Sequence, residues 1–467
     1  VIFSLYRTIP IRAIFSEDEK LFWEDQCRNA NSLINSAIYH TKQTHFARLI
    51  EKGDAFTTYW RGDELRSGWK SYQCLTTYPE LCSIFKENEH YRAMAAQSAQ
   101  QTLKSVGESI TSYNGLVKTY YKGEVDKPRL PRYRKKGGLA AVTFPKQALS
   151  YKDGCFKPSI SKKTKPELIT DIKLELPAFI DSDWVKEVTV RPCLGEFWID
   201  WVIDDLQQPV EVNPNLDYSQ AWGFDHGGGN WLTGVSTKGQ SLVINGKHLR
   251  SLNQGYCRLV AKYKQGKSEF YWDSNLDRVQ RKRNNQMRDA INKAARFIVN
   301  RCLTDGIGNL VMGWNKGMKN CSNMGKKNNQ NFVLIPTGRL IKRLKQLCPE
   351  YGIVLTVTEE AYTSKASFLD GDSLPKHGEK PKSWNPSGKR VKRGLYQSAK
   401  GWLINADCNG AANIIRKVAT QLGINLDEVG RAVLALPQRY EVLNNLSKSY
   451  RKQALRKAFL NPVATSA

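Results

Sequence analysis

The chain has 467 residues, with 71 Lys plus Arg against 44 Asp plus Glu and a formal charge of +27, so a polyanion, nucleic acid first, is its expected partner. A hydrophobic content of 40% is ample for packed cores and excludes a disordered chain. No run approaches the roughly 18 apolar residues of a membrane span, and the ten cysteines form no CxxC or CxxH pair, which leaves neither a disulfide framework nor a zinc knuckle legible.

In chain order, "VIFSLYRTIPIRAIF" alternates apolar and polar residues, which predicts a strand over 1–15 and differs from a secretory signal. A soluble, cytoplasmic, nucleoid-associated protein is the expectation. Ser16 and Glu19 form a capping box before apolar residues at helical spacing, and helices are predicted through residue 119. Within them "AMAAQSAQQTLKSVGESITSYNGLV" has Ala and Ser positions that allow a close neighbour. Pro, Gly and basic residues in "KPRLPRYRKKGG" mark a loop. "KEVTVRP" and "GEFWIDWVID" alternate in period two, as an antiparallel sheet or small barrel does, and strand 1–15 is expected to join it.

"QAWGFDHGGGNWLTGVSTKGQSLVINGK" predicts three antiparallel strands in sequence. A long basic helix through "RVQRKRNNQMRDAINKAARFIVNR" follows, then strand 307–315, a helix, strand 353–360, a Gly, Pro and Lys-rich loop over 364–403, and a helix opening at "INADCNGAANIIRKV". Strands separated by helices imply parallel pairing. The order is that of an RNase H-like layout with Asp225 on the first strand and Asp407 at the start of the last helix. Phosphodiester hydrolysis by two Mg2+ ions needs clustered carboxylates, because hard cations take oxygen ligands. Taken alone, though, an acid among glycines reads as the tip of a turn, and Asp407 as a helix cap.

The ordered set "GFDHGGGN", "NLVMGWNKGMKNCSNMGKKNNQNFVLIP", "EEAYTSKASFLDGD", "GKRVKRGLYQS" and "INADCNGAANIIRKV", with "CRNANSLINSAIYH" and "PRYRKKGGLAAVTF" ahead of it, resembles the TnpB family of insertion-sequence-associated, RNA-guided endonucleases, relatives of type V CRISPR effectors. The resemblance implies an α/β plus β fold. A RuvC-like (RNase H-like) nuclease domain would occupy 216–425, with a nucleic-acid-binding insertion at 364–403. A wedge β-barrel would come from 1–15 and 120–215, an inserted helical recognition domain from 16–119, and a basic tail from 426–467. It also implies a guide RNA, a double-stranded DNA target with a short flanking motif, and Mg2+-dependent cleavage with Asp225 and Asp407 as metal ligands.

This sequence departs from the family pattern twice. Many relatives place the second acid, a glutamate, at the end of the middle strand, where Gly313 stands here. In the subgroup with "GxNKG" the glutamate stands just ahead of "YTSK", which makes Glu360 the expected third ligand and Glu359 the fallback. Adjacent strand residues point to opposite faces, so one of the two should reach the metals. The cysteine pairs that bind zinc in relatives are missing, so no zinc is expected beside the two Mg2+ ions, and the loop is either packed by Phe368, Leu369, Leu374, Trp384, Leu395, Tyr396 and Trp402 or ordered only on binding nucleic acid. His226 is expected in a loop, touching nucleic acid or solvent.

Nucleic-acid contacts are expected from Arg129, Arg132, Tyr133, Arg134, Lys135 and Lys136, from helical Arg281, Lys282 and Arg283, and from Lys389, Arg390, Lys392 and Arg393, which combine phosphate-binding charge with a stacking ring. The rival readings are a nuclease-inactive, RNA-guided DNA-binding repressor, favoured by Gly313, a miniature type V CRISPR effector, and a transposase that joins DNA ends itself with similar acids.

Overall fold

The computed structural model describes residues 6–51, 57–68, 70–165, 168, 171–204, 212–227, 229–315 and 336–441. The chain divides into two compact units, Val1–Gln207 and Gln208–Ala467, slightly earlier than the boundary expected at residue 216. Among the described residues no helix is long and apolar enough to cross a membrane.

The first unit contains β1 (Arg7–Arg12), α1 (Glu17–Glu51), β2 (Thr57–Arg61), β3 (Glu64–Gly68), α2 (Tyr78–Phe85), α3 (Glu89–Arg92), α4 (Ala96–Tyr121), β4 (Val142–Pro145), β5 (Leu149–Lys152), β6 (Cys155–Pro158), β7 (Leu174–Glu175), β8 (Val185–Cys193) and β9 (Glu196–Ile203). The Ser16 amide donates to Glu19 Oε2 at 2.9 Å and the Glu19 amide to Ser16 Oγ at 3.3 Å, the reciprocal pair of a capping box. Trp23 of α1 is fully buried, stacked on Phe15 and edge-on to Phe22 and Phe144. Ser98, Ala99 and Thr102 of α4 are buried with it, small enough for close helix packing.

Two expectations for this unit need correction. The stretch 16–119 is not helical throughout, because "TTYWR" and "ELRSG" pair as the hairpin β2/β3, the β-branched and aromatic residues of the first strand outweighing the helical neighbourhood. The strands pair as an open four-stranded sheet, ordered β1-β9-β8-β4, and a separate sheet β5-β6-β7, with no closed barrel among the described pairings. β1 does pair with β9, antiparallel, from Arg7↔Ile203 to Arg12↔Trp198.

The second unit contains β10 (Asp217–His226), β11 (Asn230–Ser236), β12 (Gln240–Asn245), α5 (Lys247–Lys264), α6 (Ser274–Asp305), β13 (Ile307–Gly313), α7 (Thr337–Leu347), β14 (Val354–Thr358), β15 (Lys389–Lys392), β16 (Leu395–Gln397), β17 (Leu403–Asn405), α8 (Ala406–Leu422), α9 (Arg431–Ala435) and β18 (Gln438–Glu441). Its central sheet runs β14-β13-β10-β11-β12-β18. The strands β10, β11 and β12 are antiparallel, while β13 is parallel to both β10 and β14.

Alternation along β10 decides which face each side chain meets. Trp222 and Phe224 join the core formed with α6, whereas Ala221 packs with Val311 against Ile414 and Ile415 of α8. Gly223 lets α8 lie against the sheet: a Cβ there would sit 2.2 Å from Ile415 Cγ1 and 2.9 Å from the Ala411 carbonyl. The supposed tail is part of this domain up to Glu441, since β18 adds to β12 as an edge strand in parallel pairing. The rest of the expected basic tail, residues 442–467, the motif stretch 316–335 with Cys321, and the first five residues of the expected opening strand lie outside the described residues.

Candidate active site

Asp225 sits one residue before the end of β10 and pairs with Thr233 of β11, so it is a strand residue and not the tip of a turn. It faces α8, with Oδ2 3.0 Å from where a Cβ on Gly410 would be. Asp407 lies in the first turn of the same helix. The cap is Asn405, whose side chain accepts from the Asp407 and Cys408 amides at 2.9 and 3.1 Å. That leaves the Asp407 carboxylate available, with Oδ2 accepting from Asn230 Nδ2 at 2.8 Å and Oδ1 3.4 Å from Arg390.

The expected strand 353–360 stops at Thr358, so Glu359 and Glu360 lie in the turn beyond it. The Glu360 amide donates to Asn315 Oδ1 at 3.0 Å, and its carbonyl accepts from the Thr363 amide and hydroxyl at 3.2 and 2.9 Å. Tyr362 turns the chain in the left-handed region at φ +63°, a strained conformation of the kind concentrated at functional sites. Asn409 and Asn413 of α8 hold the following carbonyls, Ala366 and Thr363. With its backbone fixed in this way, the Glu360 side chain crosses β13 to reach β10. It passes over Gly313, where a Cβ would lie 2.9 Å from Glu360 Cγ and 2.5 Å from Ile414 Cδ1.

Gly313 therefore leaves the space through which the carboxylate arrives. Gly313→Ala is expected to cost about 1–3 kcal/mol through overpacking and, by displacing Glu360 from Asp225, to weaken divalent-ion binding at least about tenfold. Chemical denaturation and a Mn2+ titration would check both.

Glu359 points elsewhere, with Oε1 2.6 Å from Lys417 Nζ and Oε2 accepting from the His377 amide at 3.2 Å. Burial pushes its carboxyl up, but the Lys417 ammonium and the His377 amide outweigh that and hold it below the usual range. His226 is likewise not a solvent-facing loop residue. It is the buried last residue of β10, on the face of Trp222 and Phe224, with Nδ1 2.5 Å from Glu360 Oε1.

The potential metal-ligating atoms of Asp225, His226 and Glu360 all lie within 4.8 Å of one another. Asp407 stands outside that group, yet its charge is felt at Asp225. Burial first, then the Glu360 and Asp407 charges, push the Asp225 carboxyl well above the usual range, and the His226 amide and Arg390 pull it back only in part. Carboxylates that resist sharing a site in this way, with oxygen donors at the carboxyl ends of parallel strands, fit a hard divalent cation. The neighbouring Cys408 thiol is pushed up to about 12 by burial and by the Asp407 charge, which makes it a packing residue.

Residues 207–319 match the OrfB_IS605 family, described as "Probable transposase". Over that segment the chain is similar to TnpB. The TnpB-like segment runs from ahead of β10 past β13, so it includes Asp225 and Gly313 but stops before Glu360 and Asp407. Among solved structures, a cryo-EM Cas12f1-sgRNA-target DNA complex aligns with a TM-score of 0.43 and 13% identity, over 88% of this chain and 98% of that one. A CRISPR-Cas12f ternary complex aligns with a TM-score of 0.30 and 14% identity, over 86% and 82%. No curated protein matches the chain.

The expected nucleic-acid residues sort by what they touch. Arg129 and Arg132 are exposed and line an open cavity of about 1090 Å³ with Lys42, Phe46, Ile50 and Tyr113. Half-exposed Tyr133 has Lys42 Nζ 4.1 Å from its ring centre, and Lys136 is exposed. Lys135 gives its carbonyl to Asn31 Nδ2. Arg134 is committed to the fold, since its amide donates to Asn35, Nε to Asn31 at 2.9 Å and its guanidinium to the Leu139 carbonyl at 3.2 Å. Arg283 is similarly used, bonded to Asn253 at 3.0 Å and stacked over Tyr256, while Lys282 is exposed and Arg281 half-buried.

Lys389, Arg390, Lys392 and Arg393 are exposed on and after β15, with Arg390 beside Asp407 and Arg393 beside Gly229. Replacing Arg129 and Arg132 together with Ala should weaken RNA binding and reduce the magnitude of its logarithmic salt slope by about 1–2. Arg134→Ala should instead lower the unfolding temperature; filter binding across a salt series and calorimetry separate the two effects.

The insertion is ordered by more than its aromatics. Tyr396 is buried and donates to the Lys365 carbonyl at 2.8 Å, and Trp384 packs on Tyr362 and donates to the Ser373 carbonyl. Asp370 accepts from Ser367 Oγ and the Ala399 amide, and Asp372 from the Ser367 and Ser387 amides. Two carboxylates thus tie three loop segments together.

The signals for the residues missed are visible in hindsight. His226 follows Trp222 and Phe224 in period two, which marks a sheet-facing side chain. Asn409 and Asn413 are polar, four residues apart, on an otherwise apolar helix face, which demands hydrogen-bond partners.

Proposed function

We propose that this protein is an RNA-guided, divalent-metal-dependent DNA endonuclease with an RNase H-like (RuvC) centre formed by Asp225, Glu360 and Asp407. The observation behind this reading is that Asp225 and Glu360, far apart in sequence, meet at the end of the sheet with Asp407 near enough for its charge to act there, and burial first, then the Glu360 and Asp407 charges, raise the Asp225 carboxyl. The family match over 207–319 and the charge of +27 support it from independent directions. The repressor reading drew on the missing carboxylate at Gly313, and Glu360 reaches across that position.

Asp225 and Glu360 would hold a divalent ion between them, and Asp407, oriented by Asn230, would complete the ligand set beside Asp225. Bound Mg2+ would supply Lewis-acid stabilisation of phosphate charge and a lowered pKa for the attacking water. Arg390 and Arg393, on the basic strand pair beside the acids, would draw the DNA backbone toward them. Sequence choice would fall to base pairing with the guide, and the chain would read backbone shape and a short flanking motif.

The test is to sequence the RNA that copurifies with the protein, then incubate the complex with a plasmid matching that RNA beside randomised flanks. Cleavage is expected with Mg2+ and is lost on adding EDTA. Binding of the matched plasmid without any nicking in Mg2+ or Mn2+ would replace this reading with the repressor.

A further inference from the structure

We infer that His226 is a positioning residue, whose imidazole holds the Glu360 carboxylate in the orientation that brings it to Asp225. The inference rests on the proposed centre and assigns a role to a residue outside it.

Glu360 starts from the turn after β14, and β13 lies between that strand and β10. A glutamate has three side-chain torsions, and ordering so long a side chain costs rotamer freedom. Gly313 offers the side chain room to pass but nothing to lean on. What meets it on the far side is His226, with Nδ1 2.5 Å from Oε1 and side chains only 3% and 13% exposed. In so dry a setting, a charge-assisted bond from Nδ1–H to the carboxylate is short and strong.

The imidazole is itself constrained. Its ring lies 5.1 Å from the Trp314 ring, and Trp314 is tied by its amide to the Thr358 carbonyl at 2.8 Å, the last residue of β14. The chain leading to the glutamate and the residue receiving it are thereby braced by the same tryptophan. Asp225 and His226 are neighbours on β10 and leave it on opposite faces, yet at the strand end their ligand atoms and that of Glu360 lie within 4.8 Å of one another, so one strand end supplies both a carboxylate and its partner's orienter. An Nδ1 that donates to Glu360 has no lone pair for a metal, so positioning and direct ligation are exclusive roles for that atom.

Mn2+ serves as the probe, followed through the loss of its free aqueous electron paramagnetic resonance signal on binding the purified protein. His226→Leu should weaken Mn2+ binding about 10- to 100-fold, the usual loss when a ligand's orienting partner is removed. His226→Asn, whose side-chain amide lies near the Nδ1 position, should recover it to within a few fold. In a Glu360→Gln background, His226→Leu should cause no further loss, an outcome a general structural role would not produce. Equal losses in both backgrounds would overturn the inference. So would unchanged binding in His226→Leu, or electron spin-echo modulation from an imidazole nitrogen bound directly to Mn2+. Asp225→Ala serves as the reference: if that variant binds Mn2+ like the unaltered protein, the centre itself fails, separately from His226.

Discussion

Asp225→Asn is expected to reduce target cleavage by about a thousandfold or more, while target binding by the guide complex stays within a few fold, because the change removes an acid at the centre and no charge that faces RNA. Persistent cutting would place the active centre elsewhere. The same substitution should stabilise the metal-free protein at neutral pH, by on the order of 0.5–2 kcal/mol.

The sign follows from the raised pKa. Burial, then the Glu360 and Asp407 charges, make Asp225 bind its proton more tightly folded than unfolded. Its contribution to stability is therefore full below the ordinary carboxylate value of about 4 and is lost as pH rises through the higher folded value. Thermal unfolding in EDTA should show the advantage of Asp225→Asn widening as pH increases above about 4. Adding Mg2+ should reverse the order, since a ligand that binds only the folded state stabilises the unaltered protein and not the variant.

The second large effect separates two adjacent glutamates. Glu360→Gln should lower cleavage at least about a hundredfold, because a neutral amide is a poor ligand for a hard cation and leaves Asp225 and Asp407 without a third charge. Glu359→Gln should leave cleavage within a few fold. It keeps an oxygen for Lys417 Nζ, now 2.6 Å from Glu359, and should cost about 1 kcal/mol of stability. Cleavage assays on the two variants decide the matter: equal losses would mean that the turn at Tyr362 does not hold the two side chains apart.

Asp225 and Asp407 were legible as acids in the right order because their context is local. Period-two alternation marks β10, and the small residues Gly410, Ala411 and Ala412 mark a helix made for close packing. The hairpin β2/β3 was equally local, in the alternation of "TTYWR", but lay unread among stronger helical signals. β18 was not legible, since an edge strand of Gln438–Glu441 has no apolar run and is defined by pairing with β12.

Glu360 could be reached from the sequence only through resemblance, and nothing in "EEAYTSK" alone says which glutamate turns inward. Composition, strand periodicity and the approximate positions of two acids follow from neighbours a few residues apart, where backbone geometry leaves few choices. The crossing of Glu360 over Gly313, the retreat of Glu359 to Lys417 and the inward turn of His226 depend on strand order and on one left-handed residue, Tyr362. These are contacts between segments more than 40 residues apart, and only packing the whole sheet against α8 selects among them.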